Sequence, residues 1–153
     1  MKSIFGFLIF IFSISSYASV DFNLSFEKCT KDTLIVKHEI INASKNSLLI
    51  YEFAMPWSSG DFGVNYKIFY KKNGFFKKIR QDYFDQSSFE VLELKNEKIT
   101  KSIDISNFLG EIKSLLGREE LFVYWNYILI NQDSSYKREF EGFFTIPKNC
   151  SKS

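Results

Sequence analysis

ELFVYWNYILI, residues 120–130, is the stretch that decides the fold. It is apolar on both faces apart from Asn126, which is the pattern of a strand at the centre of a sheet. Its flanks place it. NQDSS (131–135) is a cluster of turn formers, and YKREFEGFFTI (136–146) is a further strand stopped by Pro147. On the other side, SNFLGEIKSLLG (106–117) changes period. Phe108, Leu109, Ile112, Leu115 and Leu116 fall at helical spacing, with Ser106 as N-cap and Gly117 just past the end.

The rest of the chain alternates. In VDFNLSF (20–26), Val20, Phe22, Leu24 and Phe26 face one way and polar residues the other. TLIVKHEII (33–41) places Leu34, Val36, His38 and Ile40 on one face. NASKNS (42–47) is a polar loop, and SLLIYEFA (47–54) is a strand ended by Pro56. VNYKIFYKKNGFFKKIR (64–80) is a hairpin about Asn73-Gly74, because both central residues of a type I′ turn need positive φ. SFEVLEL (88–94) and KITKSIDI (98–105) flank Lys95-Asn96-Glu97. Short strands, frequent turns and one helix predict an all-β, antiparallel Greek-key sandwich with the helix in a crossover. A closed barrel competes, but the single long connection through 106–117 fits a sandwich crossover better.

The N-terminus has a separate purpose. One basic residue, Lys2, precedes an apolar run from Ile4 to Ile14, and Ser16 and Ala18 stand at −3 and −1 of a cleavage site. This predicts a signal peptide over 1–18 and one domain over 19–153. The run is shorter than the ~20 residues of a membrane-spanning helix, so no stable insertion is expected after cleavage. Export to the periplasm or beyond favours a disulfide between Cys29 and Cys150, the only cysteines. Without Lys2 the chain has 19 basic and 18 acidic residues, a balance that gives no footprint for nucleic acid.

Few residues carry chemistry. His38 is the lone histidine and sits between apolar neighbours, where a core residue is the usual reading. Asp82, Asp85, Glu90 and Glu93 supply the paired acids that a glycosidic hydrolase needs, but such acids are equally expected on solvated faces. No cofactor or metal is expected, and no catalytic residue is assigned. Asn126 must find hydrogen-bond partners if buried, and is read as facing a loop backbone or an edge groove. KKNGFFKKIR (71–80) sets five positive residues around Phe75 and Phe76. The plain reading is an edge hairpin kept soluble by lysines; the sharper one is contact with an anionic polymer or a membrane surface. In AMPWSSGDFG (54–63), Trp57, Ser58, Ser59 and Asp61 form a candidate binding loop, with Trp57 read as supporting the turn from the core side.

Pro56-Trp57 after a strand, Ile103-Asp104-Ile105-Ser106, FVYWNYIL (122–129) and EGFFTIPK (141–148) occur in a familiar order. The order resembles small exported bacterial proteins with an immunoglobulin-like sandwich, over about 52–148. It is faintly similar also to sandwich domains of secreted metalloproteases and to inhibitor-like domains. The resemblance implies a fold and no catalytic residues. Two functions are expected from the whole. The first is a non-catalytic exported module that binds a protein or envelope component, with inhibition of a hydrolase or immunity to a toxin as its concrete form. The alternative is a small periplasmic hydrolase that uses the acids.

Overall fold

The computed structural model describes residues 20–58, 62–80 and 89–150. In chain order the strands are β1 (Val20–Cys29), β2 (Leu34–Asn42), β3 (Leu48–Tyr51), β4 (Asn65–Lys72), β5 (Phe75–Ile79), β6 (Val91–Leu94), β7 (Lys98–Asp104), β8 (Leu121–Ile130) and β9 (Lys137–Ile146). One short helix, α1 (Ile112–Leu115), lies between β7 and β8. The strands pair as β1-β2-β7, β3-β6 and β5-β4-β8-β9, every pair antiparallel. The chain therefore lays β1 and β2 in one layer and β4 and β5 in the other. It then returns with β7 to the first and with β8 and β9 to the second. This is the antiparallel Greek-key sandwich that the alternation predicts, in the immunoglobulin-like form that the resemblance implies.

β3 and β6 extend the first layer. The β2–β7 ladder runs from Ile35↔Asp104 to Ile41↔Lys98, and pairing resumes in a shifted register at Leu48↔Leu94. Asn42 spans the break. Its backbone N–H donates to the Glu97 carbonyl (3.0 Å), and its amide donates to the carbonyls of Asn46 (2.9 Å) and Leu94 (3.0 Å). Asn42 is thus the buried last residue of β2 rather than the start of a solvated loop, because its side chain satisfies groups that the ladder leaves unpaired.

Three expectations are corrected. The strand read over 47–54 stops at Tyr51, and Glu52–Ala54 tighten into a 3-10 turn. The Tyr127 hydroxyl donates to the Ala54 carbonyl (2.8 Å) and pins that turn to β8. The helix read over 106–117 is instead a 3-10 turn, Ile105–Phe108, followed by the four residues of α1. Its cap is Asp104, not Ser106. One Asp104 carboxylate oxygen accepts from Ser106 N (3.0 Å) and from Leu34 N (3.1 Å), which ties the crossover to β2. Gly117 does take positive φ (72°) beyond the last turn, as expected of a C′ residue.

The hairpin is as the sequence dictates, with Asn73 at φ 53° and Gly74 at φ 83°. β8 is bonded on both sides, to β4 and β9, and its burial alternates strictly. Leu121, Val123, Trp125, Tyr127 and Leu129 point into the core, and the alternate residues are half-buried on an open outer face. The apolar character of both faces thus has a consequence other than full burial: one face is core and the other is surface.

Between the layers, Phe22 of β1 meets the rings of Trp125 (centroids 5.4 Å, edge-on), Tyr127 (4.9 Å) and Phe140 (5.9 Å). Trp125 finds room because residue 142 opposite it is glycine. A Cβ there would stand 2.5 Å from the indole Cζ2. At the same border, Arg138 of β9 donates to the Val20 carbonyl and pairs with Asp21 (3.3 Å). Cys29 and Cys150 form the expected disulfide, Cα atoms 5.7 Å apart, across a sequence separation of 121.

Two outcomes follow for stability. Gly142→Ala is expected to destabilise by about 1–3 kcal/mol, since the indole is held by Phe22 and has nowhere to retreat. Paired Cys29→Ser and Cys150→Ser substitutions are expected to cost about 2–5 kcal/mol. Urea unfolding of each variant against the parent protein checks both.

Candidate functional site

The lone histidine is closed in by the described residues around it. His38 is 1 % exposed and its Nε2 shares a 2.6 Å hydrogen bond with the Tyr66 hydroxyl, reached across the sandwich from β4. Nδ1 is buried without a partner among the described residues. Leu24 and Lys101 are its neighbours in the sheet register, and Phe22 lies 6.0 Å away, ring to ring. Burial, followed by the nearby Lys101 charge, lowers the imidazole pKa to about 4. Burial also drives the Tyr66 phenol well above its ordinary range. A neutral imidazole sealed from solvent and held by a phenol has no route to a substrate proton.

The acids fare similarly. Asp82 and Asp85 lie outside the described residues. Glu90 and Glu93 are exposed beside and on β6, and Glu93 is paired with Lys95 at 3.7 Å. No group of three or more His, Cys, Asp or Glu side chains able to hold a metal ion occurs among the described residues.

The candidate loop is seen in part. Ser59 and Asp61 lie outside the described residues. Ser58 is buried and its N–H donates to the Met55 carbonyl (2.9 Å). Trp57 is half-buried against the core, with the Lys101 ammonium 5.4 Å over its ring. Trp57 therefore packs on the rim of the core beside β7, whose Lys101 covers its ring.

The surface with room for a partner is the outer face of the β5-β4-β8-β9 sheet. The register sets its rows. Phe69 stands beside Phe122; Tyr124 stands between Lys67 and Phe143, and Asn126 between Asn65 and Glu141. The rings of Phe76 and Phe122 meet edge-on at 5.2 Å, and those of Phe122 and Phe143 stack at 6.5 Å. Phe76 and Phe143 are each 63 % exposed. The strip thus crosses the sheet from β5 to β9 with two of its three rings largely in water. Lys67 lies 5.4 Å over the Tyr124 ring, whose hydroxyl donates to Glu141 (2.6 Å). That bond and the Glu141 charge raise the Tyr124 pKa.

Two shallow depressions adjoin the strip and share Asn126 and Ile128. One, about 310 Å³, runs past Phe62, Asn65, Ile130 and Lys137; the other, about 250 Å³, past Tyr124, Glu139 and Glu141. Asn126 lies half-buried on the outer face of the central strand β8 and lines both depressions, not the loop backbone or edge groove that the sequence reading gave it. The sequence marks the aromatics of this face individually. It does not reveal that Phe76, Phe122 and Phe143 align, because the register that aligns them is set by partners far apart in the chain.

No protein-family model and no curated protein matches the chain. A disulfide fits a protein of an oxidising compartment outside the cytoplasm. Among the described residues no helix is long and apolar enough to cross a membrane.

The buried His38 makes stability depend on pH. The unfolded imidazole titrates near 6.5 and the folded one near 4, so between these values the unfolded chain holds the extra proton. Its contribution is complete above pH ~6.5 and is lost as the pH falls toward ~4, a change of about 3 kcal/mol. Urea midpoints across that interval are expected to fall for the parent protein. His38→Gln, which keeps a partner for Tyr66, flattens that part of the profile.

Proposed function

We propose that the protein is an exported, non-catalytic binding module that presents the outer face of its four-stranded sheet to a protein or other envelope component. The observation that carries this reading is the Phe76-Phe122-Phe143 strip, left open on a fold whose core is otherwise well closed. Leaving two phenylalanines 63 % exposed on one face costs solubility, and binding is the common return for such a patch. Aromatic rings flanked by amides and opposite charges have the composition of a recognition surface: rigid apolar anchors at the centre, polar groups at the rim. Inhibition of an exported hydrolase, or immunity to a toxin, is the concrete form this binding takes. The alternative hydrolase draws no support from His38, whose ring is sealed, or from Glu93, which is paired on an exposed strand.

The test is site-specific. A photo-crosslinking residue at position 143 is expected to trap a discrete envelope partner, while one at the exposed Lys113, away from this face, traps none. Phe143→Lys is expected to weaken that association at least about tenfold, with the melting temperature unchanged because the side chain stands in solvent. The same adducts from both positions would remove the sheet face from the interface.

A further inference from the structure

Apart from Phe76, the β4–β5 hairpin carries residues that the sheet-face reading does not use. From Lys71 to Lys78 every residue is exposed, whichever way its side chain points. β4 stays paired to β8 as far as Tyr70↔Leu121, so the turn end from Lys71 to Phe76 extends past that ladder as an arm, with Lys77 and Lys78 of the edge strand at its base. Its tip is a tight type I′ turn, Asn73-Gly74, and the register Lys72↔Phe75 and Lys71↔Phe76 carries the pairing up to the turn. The arm is therefore a defined shape that needs no ordering on contact.

Its chemistry has one sign. Between residues 62 and 80 the sequence contains Lys67, Lys71, Lys72, Lys77, Lys78 and Arg80 and no acidic residue. Lys71, Lys72, Lys77 and Lys78 have no ion pair among the described residues. Between these lysines stand Phe75, 75 % exposed, and Phe76, 63 % exposed. Phe76 leans on Phe122 and continues the aromatic strip. Phe75 points to the opposite side of the hairpin. Lysines alone would be explained as protection of an edge strand from pairing. That explanation gives no reason for a phenylalanine at the tip, which raises the risk that the lysines lower.

We propose that this hairpin is a peripheral docking element for the surface of an anionic lipid bilayer. The lysines engage lipid phosphates, and Phe75 enters the boundary between headgroups and acyl chains. A bilayer is the occupant because it presents what the arm complements, a sheet of negative charge immediately above an apolar layer. A soluble polyanion offers the charge but nothing to receive Phe75. The attachment is shallow and reversible, since a single ring and a few lysines stand far below the apolar length of a membrane span. It goes beyond the sheet-face reading and stands independently of it.

The test uses the disulfide-bonded protein isolated from the envelope, with its N-terminus verified to lie beyond the apolar leader. Co-flotation is measured with vesicles of phosphatidylcholine alone and with about one-third phosphatidylglycerol. Binding is expected only to the anionic vesicles and is expected to fall steeply between ~0.05 and ~0.5 M salt. Phe75→Ala is expected to reduce partitioning about tenfold. Lys72→Gln and Lys77→Gln are each expected to reduce it about fivefold. Lys113→Gln leaves it unchanged, and all four variants keep the parent melting temperature. Equal flotation with both vesicle types, or with neither, overturns the proposal. So does binding that is insensitive to Phe75→Ala and is competed fully by soluble polyphosphate, which would assign the arm to a soluble polyanion. The crosslinking result at position 143 is read separately, so failure on vesicles leaves the sheet-face interface standing.

Discussion

The contact between Phe22 and the rings of Trp125, Tyr127 and Phe140 is the one on which the two layers depend. β1 is an outer strand of its sheet and β9 an outer strand of the other, and no ladder joins them. Apolar burial of Phe22 supplies the cohesion there, and Gly142 supplies the space that lets Trp125 lie flat enough to receive it. Arg138 covers the same seam from outside through the Val20 carbonyl and Asp21. With the seam closed, the inner faces are full, and the molecule has only its outer surfaces with which to meet other molecules.

That division explains where the polar groups of the interior went. Asn42, His38, Tyr127 and Asp104 each hold a place where regular pairing fails: a register break, an inter-layer gap, a turn and a crossover. Each is satisfied by a specific partner, except His38 Nδ1. The cost of leaving such groups unpaired is what fixes these joints. They specify the fold, and each is held inside it by the partner it satisfies.

Much of the architecture was legible because it rests on local pattern. Alternation in 20–26 and 33–41 names the inward residues directly, and Asn73-Gly74 fixes the hairpin. Less was legible at the joints. The apolar spacing of 106–117 suggested one helix, yet Asp104 captures two backbone N–H groups first and divides the segment. Asn42 looked like a loop residue because polar composition does not disclose a buried partner. The His38–Tyr66 bond joins residues 28 apart on opposite sheets and has no local signature. The outer aromatic strip was invisible for the same reason, while the cationic hairpin was legible in full, since sequence neighbours build it.

The disulfide closes the chain almost end to end, from the last residue of β1 to the tail beyond β9. Every Greek-key crossing lies between its two thiols, so their native approach is a contact of the longest range in the fold. Long-range contacts of this kind form late and slowly. Oxidation therefore acts as a proof of completion: a chain that has sealed its ends has also seated its final strand. A chain that has not must hold its Phe22 seam by ring packing and the Arg138 contacts alone.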